Sequence, residues 1–241
     1  MKRLRPFFPK SHGKPRVDDR RVLSSIVFVK RNGLRWRDAP KDYGPHKTLY
    51  NRLKRWGEAG VFMRLMEGLA AADAEPKTVM IDEMYLKVHR TASSLRVKKR
   101  ISGRLIGRTK GGMNTKLHAV ADANGRPLSF FMTAGQVSDY TGAAALLDDM
   151  PKAQWLLGDS GSDADWFRDA LEAKGLQPCM LGRRSRNEPV RYDKRCYRRR
   201  SRTEMMFDRL KDWRRVATRY DRCPTAFFSA IALAATIIFW L

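Results

Sequence analysis

Cysteine and histidine are scarce in this chain, and acids are outnumbered by bases. With 3 Cys and 4 His in 241 residues, there is little soft-ligand or imidazole chemistry to draw on. Cys179, Cys196 and Cys223 are odd in number and show no zinc-ligand spacing. That excludes a disulfide scaffold and a zinc-finger module, and it suits a reducing compartment. The basic N-terminus lacks the apolar run of a secretory signal. The one long apolar run, Thr225–Leu241, is uncharged for 17 residues. It is short for a membrane span and has no charge beyond it, so a buried last helix is expected and no membrane partner.

What is abundant is positive charge. Lys and Arg number 49 against 25 Asp and Glu, a net +24, which points to a polyanion and first of all to nucleic acid. The charge is uneven: residues 1–60 carry +12, 87–110 carry +9 and 183–222 carry +10, while 61–86 carry −3 and 111–182 carry −4. Basic arms around an acidic middle fit a metal-dependent enzyme better than a uniform nucleic-acid packer.

Periodicity divides the chain at about residue 72. Before it, three short helices are predicted: one capped by Asp18 or Asp19 and closed by Gly33, one over Pro45–Glu58, and one after Gly60. The second has Leu49, Leu53 and Trp56 on its apolar face and Lys47, Arg52, Lys54 and Arg55 elsewhere on the surface. A basic second helix among three suggests a helix-turn-helix-like DNA-binding domain over 1–72. From residue 73 the reading is α/β: strands at Thr78–Leu86, Thr115–Ala121 and Leu128–Thr133, a helix, a strand ending at Asp159, a helix over Asp163–Lys174, and a strand at Gln177–Leu181. Three strands, helix, strand, helix, strand, helix is the element order of a ribonuclease-H-like mixed sheet with flanking helices, over 73–241. Residues 87–110 form a basic insert, read either as a loop lying on phosphates or as a solvated one.

Because acids are few, their placement is informative. Asp82 interrupts an apolar strand, where a carboxylate is costly unless paired or metal-bound. Asp159 ends another. Glu204 lies on a helix predicted over Tyr197–Lys211, where Tyr197, Arg200, Glu204 and Lys211 share an arc of about 60° at roughly 100° per residue. Asp82, Asp159 and Glu204 would suit Mg²⁺ or Mn²⁺, two ions, because these are hard oxygen donors with no His or Cys nearby. Taken singly, Asp159 is as well read as a helix cap and Glu204 as the partner of Arg200.

The spacing Tyr-x2-Arg-x3-Glu-x6-Lys resembles that of DDE-class transposases of bacterial insertion-sequence families four and five. The segments W-R-D-x-P at Trp36, G-P-x-x-T-x-Y-N-R at Gly44 and R-T-K-G-G-M-N-T-K-L-H-A at Arg108–Ala119 are similar too, so the resemblance spans nearly the whole chain. It implies a catalytic triad of Asp82, Asp159 and Glu204, with Tyr197, Arg200 and Lys211 positioning DNA ends. The expected activity is metal-dependent cleavage at element ends and strand transfer of the 3′-hydroxyl into target DNA, by a homodimer in the nucleoid-associated bacterial cytoplasm. Arg52 and Arg55 are expected to read terminal inverted repeats, and Lys98 and Lys99 to grip backbone. There are departures. Ser160 and Ser162 stand where relatives carry Arg and Tyr, Glu83 where a small residue is usual, and Asp208 where Gly or Asn is. The chain also starts where relatives have a further leading segment. The alternative is a transposase-derived DNA-binding protein impaired in catalysis.

Overall fold

The computed structural model describes residues 3–9, 18–72, 77–94, 102–147, 150–186 and 188–241. In chain order the elements are α1 (Asp19–Asn32), α2 (His46–Glu58), α3 (Val61–Ala71), β1 (Thr78–Val88), α4 (Arg90–Ser93), β2 (Gly107–Thr109), β3 (Gly112–Asp122), β4 (Pro127–Ala134), α5 (Asp139–Leu147), β5 (Trp155–Gly158), α6 (Asp165–Ala173), β6 (Gln177–Met180), α7 (Lys194–Tyr197), α8 (Ser201–Lys211), α9 (Arg214–Ala217), β7 (Thr218–Arg219) and α10 (Pro224–Ala235). They fall into two compact units. One takes the described residues of Met1–Leu69, Val88–Val97 and Arg209–Leu241; the other takes those of Ala70–Lys87 and Lys98–Asp208. The units therefore do not follow chain order, because the C-terminal segment joins the N-terminal helices.

In the helical unit, Asp18 caps α1 by accepting the Arg20 N–H at 3.0 Å, and Gly33 ends it at φ 77°, a conformation that favours glycine. Val22, Ile26 and Val29 of α1, Leu49, Leu53 and Trp56 of α2, and Phe62, Leu65 and Met66 of α3 are all buried. The apolar tail is the missing part of this core. Phe227, Ala230, Ile231 and Leu233 of α10 are buried, and a Cβ at Gly57 would lie only 2.4 Å from Ser229 Oγ. Small residues let α2 and α10 approach this closely. Among the described residues no helix is long and apolar enough to cross a membrane.

Arg52 corrects the expectation of a surface position. It is buried, pairs with Asp19 at 2.5 Å and lies over the Trp56 ring. Three residues after Leu49 on α2, it borders the apolar stripe, and a long aliphatic stem can cross that stripe to reach an acid. Lys47, Lys54 and Arg55 are exposed as expected. Lys98 and Lys99 lie outside the described residues.

The second unit is built on a mixed sheet ordered β2-β3-β1-β5-β6, with β4 also on β3. Strand β1 pairs antiparallel with β3 and parallel with β5, and β5 pairs parallel with β6. Alternation sends Val79 and Ile81 of β1 into a core with Phe167 and Leu171 of α6 and Leu146 of α5. Asp82 has the opposite parity, and its side chain meets Arg200 and Thr203 instead. The order of elements is the one predicted. Details differ: the basic insert contains the short α4 and β2, the helix expected over Tyr197–Lys211 is α7, a 3-10 turn Arg198–Arg200 and then α8, and the short α9 and β7 come before the last helix. The 3-10 turn tightens the chain where three arginines crowd together.

Candidate active site

Parallel pairing decides where the first two acids meet. Thr78, Val79 and Met80 lie opposite Trp155, Leu156 and Leu157. Carried two residues on, that register sets Asp82, midway along β1, level with Asp159, just past the carboxyl end of β5. Such ends are where open α/β sheets place their sites. Asp159 follows β5 directly, and its Oδ1 accepts the Ser162 N–H at 3.0 Å and the Ser162 hydroxyl at 3.3 Å. It therefore does cap the short turn Ser160–Ser162. Its Oδ2 takes no hydrogen bond from the described residues.

The third acid arrives with α8. The β3–β4 turn seats this helix: Arg202 donates to the Ala123 carbonyl, and a Cβ at Gly125 would come within 2.7 Å of the Arg202 carbonyl oxygen. Gly125 also has φ 78°, so glycine is required there twice over. With α8 so placed, Thr203 Oγ1 donates to Asp82 Oδ2 at 2.7 Å, and Arg200 bridges two acids. Its Nη1 reaches Asp82 Oδ2 at 2.9 Å and its Nη2 reaches Glu204 Oε1 at 2.8 Å. The Asp82 side chain is 10% exposed, Arg200 19% and Glu204 60%, so the group opens towards Glu204.

Electrostatics link all three acids. Burial pushes the Asp82 carboxyl above its ordinary value, against the opposing pull of Thr203, Arg200 and the Glu83 N–H, and the Asp159 charge adds to the rise. For Arg200, burial acts downward, but the charges of Asp82, Tyr197, Glu204 and Asp159 outweigh it and hold the guanidinium more firmly protonated than usual. Tyr197 is raised by burial, against the opposing pull of the Arg200 charge. Asp82, Asp159, Tyr197, Arg200 and Glu204 therefore form one neighbourhood. Lys211 ends α8 and is exposed, and it belongs to the other compact unit.

Among the described residues no three His, Cys, Asp or Glu side chains are gathered closely enough to hold one ion. The donor chemistry nonetheless suits a hard divalent cation, since all the donors are carboxylate oxygens and a cation, the Arg200 guanidinium, already stands between two of them. Both modest readings of these acids hold alongside this: Asp159 caps a turn and Glu204 pairs with Arg200.

Sequence reasoning missed Thr203 and, next to Asp159, a second cluster. Asp163 is buried and accepts from Arg168, Arg183 and Arg186. The only signal for it was the second acid in D-S-G-S-D, and nothing in spacing pairs that acid with arginines 20 or more residues later.

A family model described as "Putative transposase of IS4/5 family" matches residues 1–66, and one described as "Transposase DDE domain" matches residues 73–240. The "Putative transposase for insertion sequence element IS6501" of Brucella ovis is 36% identical over 131 residues, 54% of this chain and 99% of that protein. The "Putative transposase for insertion sequence element IS402" of Burkholderia cepacia is 34% identical over 104 residues, 35% of this chain and 49% of that one. Among solved structures, a piggyBac transposase synaptic complex with hairpin DNA aligns at TM-score 0.52 and 10% identity, covering 98% of this chain and 68% of that one. At that identity the likeness speaks for the fold, a helical N-terminal region before a ribonuclease-H-like mixed sheet. On the match over residues 73–240, the chain belongs to the DDE-domain transposases, in the IS4/5 family.

Proposed function

We propose that the protein is a DNA transposase that cleaves insertion-sequence ends and joins them to target DNA. The observation that carries this is the register that sets Asp82 level with Asp159, with Arg200 and Glu204 of the late helix beside them. Asp82, Asp159 and Glu204 would hold Mg²⁺ or Mn²⁺, two ions. Bound there, the ions would lower the pKa of an attacking water or hydroxyl and take up charge on the leaving oxygen.

In the first step the water oxygen bonds to phosphorus and the P–O3′ bond breaks, leaving a 3′-hydroxyl and a 5′-phosphate. In the second, that 3′-oxygen attacks a target phosphodiester and displaces its own 3′-oxygen, so the number of phosphodiester bonds is unchanged. Arg200 neutralises Asp82 and Glu204 in the resting protein, and a DNA phosphate is its natural alternative partner. Tyr197 and Lys211 position the DNA end alongside it. Arg55 on the exposed face of α2, with Lys98 and Lys99, supplies DNA contacts, and two copies act together on paired ends. Arg52 is left out of this set because it is buried.

The impaired-copy reading rests on Asp208, which is exposed one turn beyond Glu204, and on the two serines after Asp159. Ser162 argues against impairment: it is buried and holds Asp159 through both its N–H and its hydroxyl. The deciding experiment is single-turnover cleavage of a labelled inverted-repeat duplex with Mg²⁺. Asp159→Asn should lower the rate about 10³-fold or more, roughly 4 kcal/mol of barrier. DNA affinity should be retained, since phosphate contacts elsewhere carry it. Cleavage by Asp159→Asn at near-parent rate would overturn the assignment.

A further inference from the structure

The most completely buried acid near Asp159 is one that the transposase reading does not use. The Asp163 side chain has no solvent exposure. Its Oδ1 accepts from Arg168 Nε at 2.7 Å and Arg186 Nη2 at 3.2 Å. Its Oδ2 accepts from the Arg183 N–H at 2.9 Å and Arg186 Nε at 2.6 Å. Burial alone would raise this carboxyl, but the donors from Arg186, Arg183 and Arg168 outweigh it and hold it below its ordinary value. Arg168 also ties to the Met180 carbonyl at 3.1 Å, and Arg186 to Asp165 at 2.5 Å.

The direction in which this cluster points matters most. Arg183, fixed at its backbone by Asp163, turns its guanidinium onto the turn that carries Asp159. Its Nε donates to the Ser160 carbonyl at 3.2 Å and its Nη2 to the Gly161 carbonyl at 2.8 Å. These are the carbonyls of the two residues immediately after Asp159. That turn is therefore held from inside by Ser162 on Asp159 Oδ1 and from outside by Arg183.

We propose that Asp163 and Arg183 are positioning residues for Asp159. The inference rests on the reading of Asp159 as a catalytic acid. A carboxylate at a strand end is aimed by the peptide units that follow it. Phosphoryl transfer tolerates only about half an ångström of error in such a group. Without the Arg183 guanidinium the Gly161 carbonyl loses its side-chain donor and the Ser160 carbonyl keeps only the Asp163 N–H at 3.4 Å, and the turn can relax around Asp159. Without Asp163, Arg168 and Arg186 lose their shared counter-charge, and the backbone N–H of Arg183 loses its acceptor. Repulsion then moves the whole Arg183–Arg186 segment, and its hold on the turn goes with it. Asp163 thus acts on Asp159 through Arg183, two links from the reacting atoms.

The test compares full-length parent, Asp159→Asn, Asp163→Asn, Arg183→Met and Arg183→Lys on an inverted-repeat duplex. It measures single-turnover cleavage, DNA affinity in EDTA, and Mn²⁺ affinity of the DNA-bound protein by electron paramagnetic resonance. Arg183→Met leaves Asp163 with Arg168, Arg186 and its backbone donor, so it should fold even where Asp163→Asn does not. Asp163→Asn and Arg183→Met should each slow cleavage about ten- to a hundredfold and weaken Mn²⁺ binding, with DNA affinity within about threefold of parent. Arg183→Lys, which keeps a donor for one carbonyl, should recover part of the loss. Parent-like cleavage and Mn²⁺ affinity in Arg183→Met, with Asp159→Asn inactive, would overturn this inference alone. Cleavage by Asp159→Asn would overturn the reading beneath it.

Discussion

Each compact unit holds a base pressed against acid, and the two arrangements differ in how they are closed. In the helical unit Lys30 and Asp221 meet at 2.6 Å with side-chain exposures of 0% and 5%. Burial there dominates: it lowers the Lys30 pKa despite the opposing pull of Asp221. In the sheet unit Arg200 spans Asp82 and Glu204, and there the surrounding acids dominate and raise it. One ion pair is sealed, and the other opens to solvent at Glu204. A sealed pair pins chain segments together, because neither partner has anywhere else to go. An open pair is held by charges that a phosphate or a metal ion can share, so it can exchange partners. Degree of closure, more than residue type, separates the structural pair from the candidate site.

The sharpest way to break the comparison is to remove one partner of the sealed pair. Asp221→Ala should cost about 3–5 kcal/mol, since it strands a buried ammonium, read as a lowered urea midpoint. Lys30→Met with Asp221→Leu should recover most of that loss. An unchanged midpoint in Asp221→Ala would show that the pair pins nothing.

The open pair predicts a gain. Arg200→Ala should tighten Mn²⁺ binding in the absence of DNA about tenfold, close to 1.4 kcal/mol, because the resident cation is gone. It should also reduce the further tightening that inverted-repeat DNA brings. Calorimetric titration of parent and variant, with and without duplex, measures both. Identical affinities would mean that Arg200 does not compete for the carboxylates.

Asp163 lies between the two cases, sealed but close to the site, and pH reads it. Its folded pKa is depressed, so the stability it contributes is complete above the unfolded value of about 3.9 and is lost as pH falls through the folded one. Arg168, Arg183 and Arg186 are the bases that face it, and among the described residues Asp165 is the other acid bonded to Arg186. The stability gap between parent and Asp163→Asn should therefore be constant at neutral pH, at roughly 1–3 kcal/mol, and should shrink below about pH 4. Denaturant melts at pH 7, 5 and 3 measure it, and a gap that widened in acid would reverse the sign. The smallest effect is expected on the exposed face of α2. Arg55→Ala should weaken DNA binding by a few-fold and reduce the salt slope by about one, whereas Arg52→Ala should mainly lower stability. If the two exchanged these phenotypes, the burial of Arg52 would be irrelevant to its role.

Local rules made much of this protein legible. Asp18, Gly33 and the i, i+3, i+4 apolar spacing located α1–α3. The apolar strand that Asp82 interrupts located β1, and the one that Asp159 ends located β5. These are short-range effects of capping, backbone freedom and one-faced burial, and the residues that cause them are neighbours in the chain. The Tyr-Arg-Glu-Lys spacing likewise placed Tyr197, Arg200 and Glu204 in one neighbourhood, because a helical stretch carries its own geometry.

By itself, then, the sequence determined the elements, the family and the scarcity of acids that made Asp82, Asp159 and Glu204 worth naming. Tertiary structure alone decided what each charge faces. Parallel register between residues 78–80 and 155–157 sets Asp82 level with Asp159. The Gly125 turn seats α8 so that Arg200 falls between two carboxylates. Arg52, expected on the surface, is taken inside by Asp19 and Trp56. Asp163 found its arginines 20 and 23 residues away, and the apolar tail found α2 across most of the chain's length. The physical reason is the same throughout. A charge is stable wherever its partners and its hydration together offset burial, and those partners are chosen by the fold from anywhere along the chain.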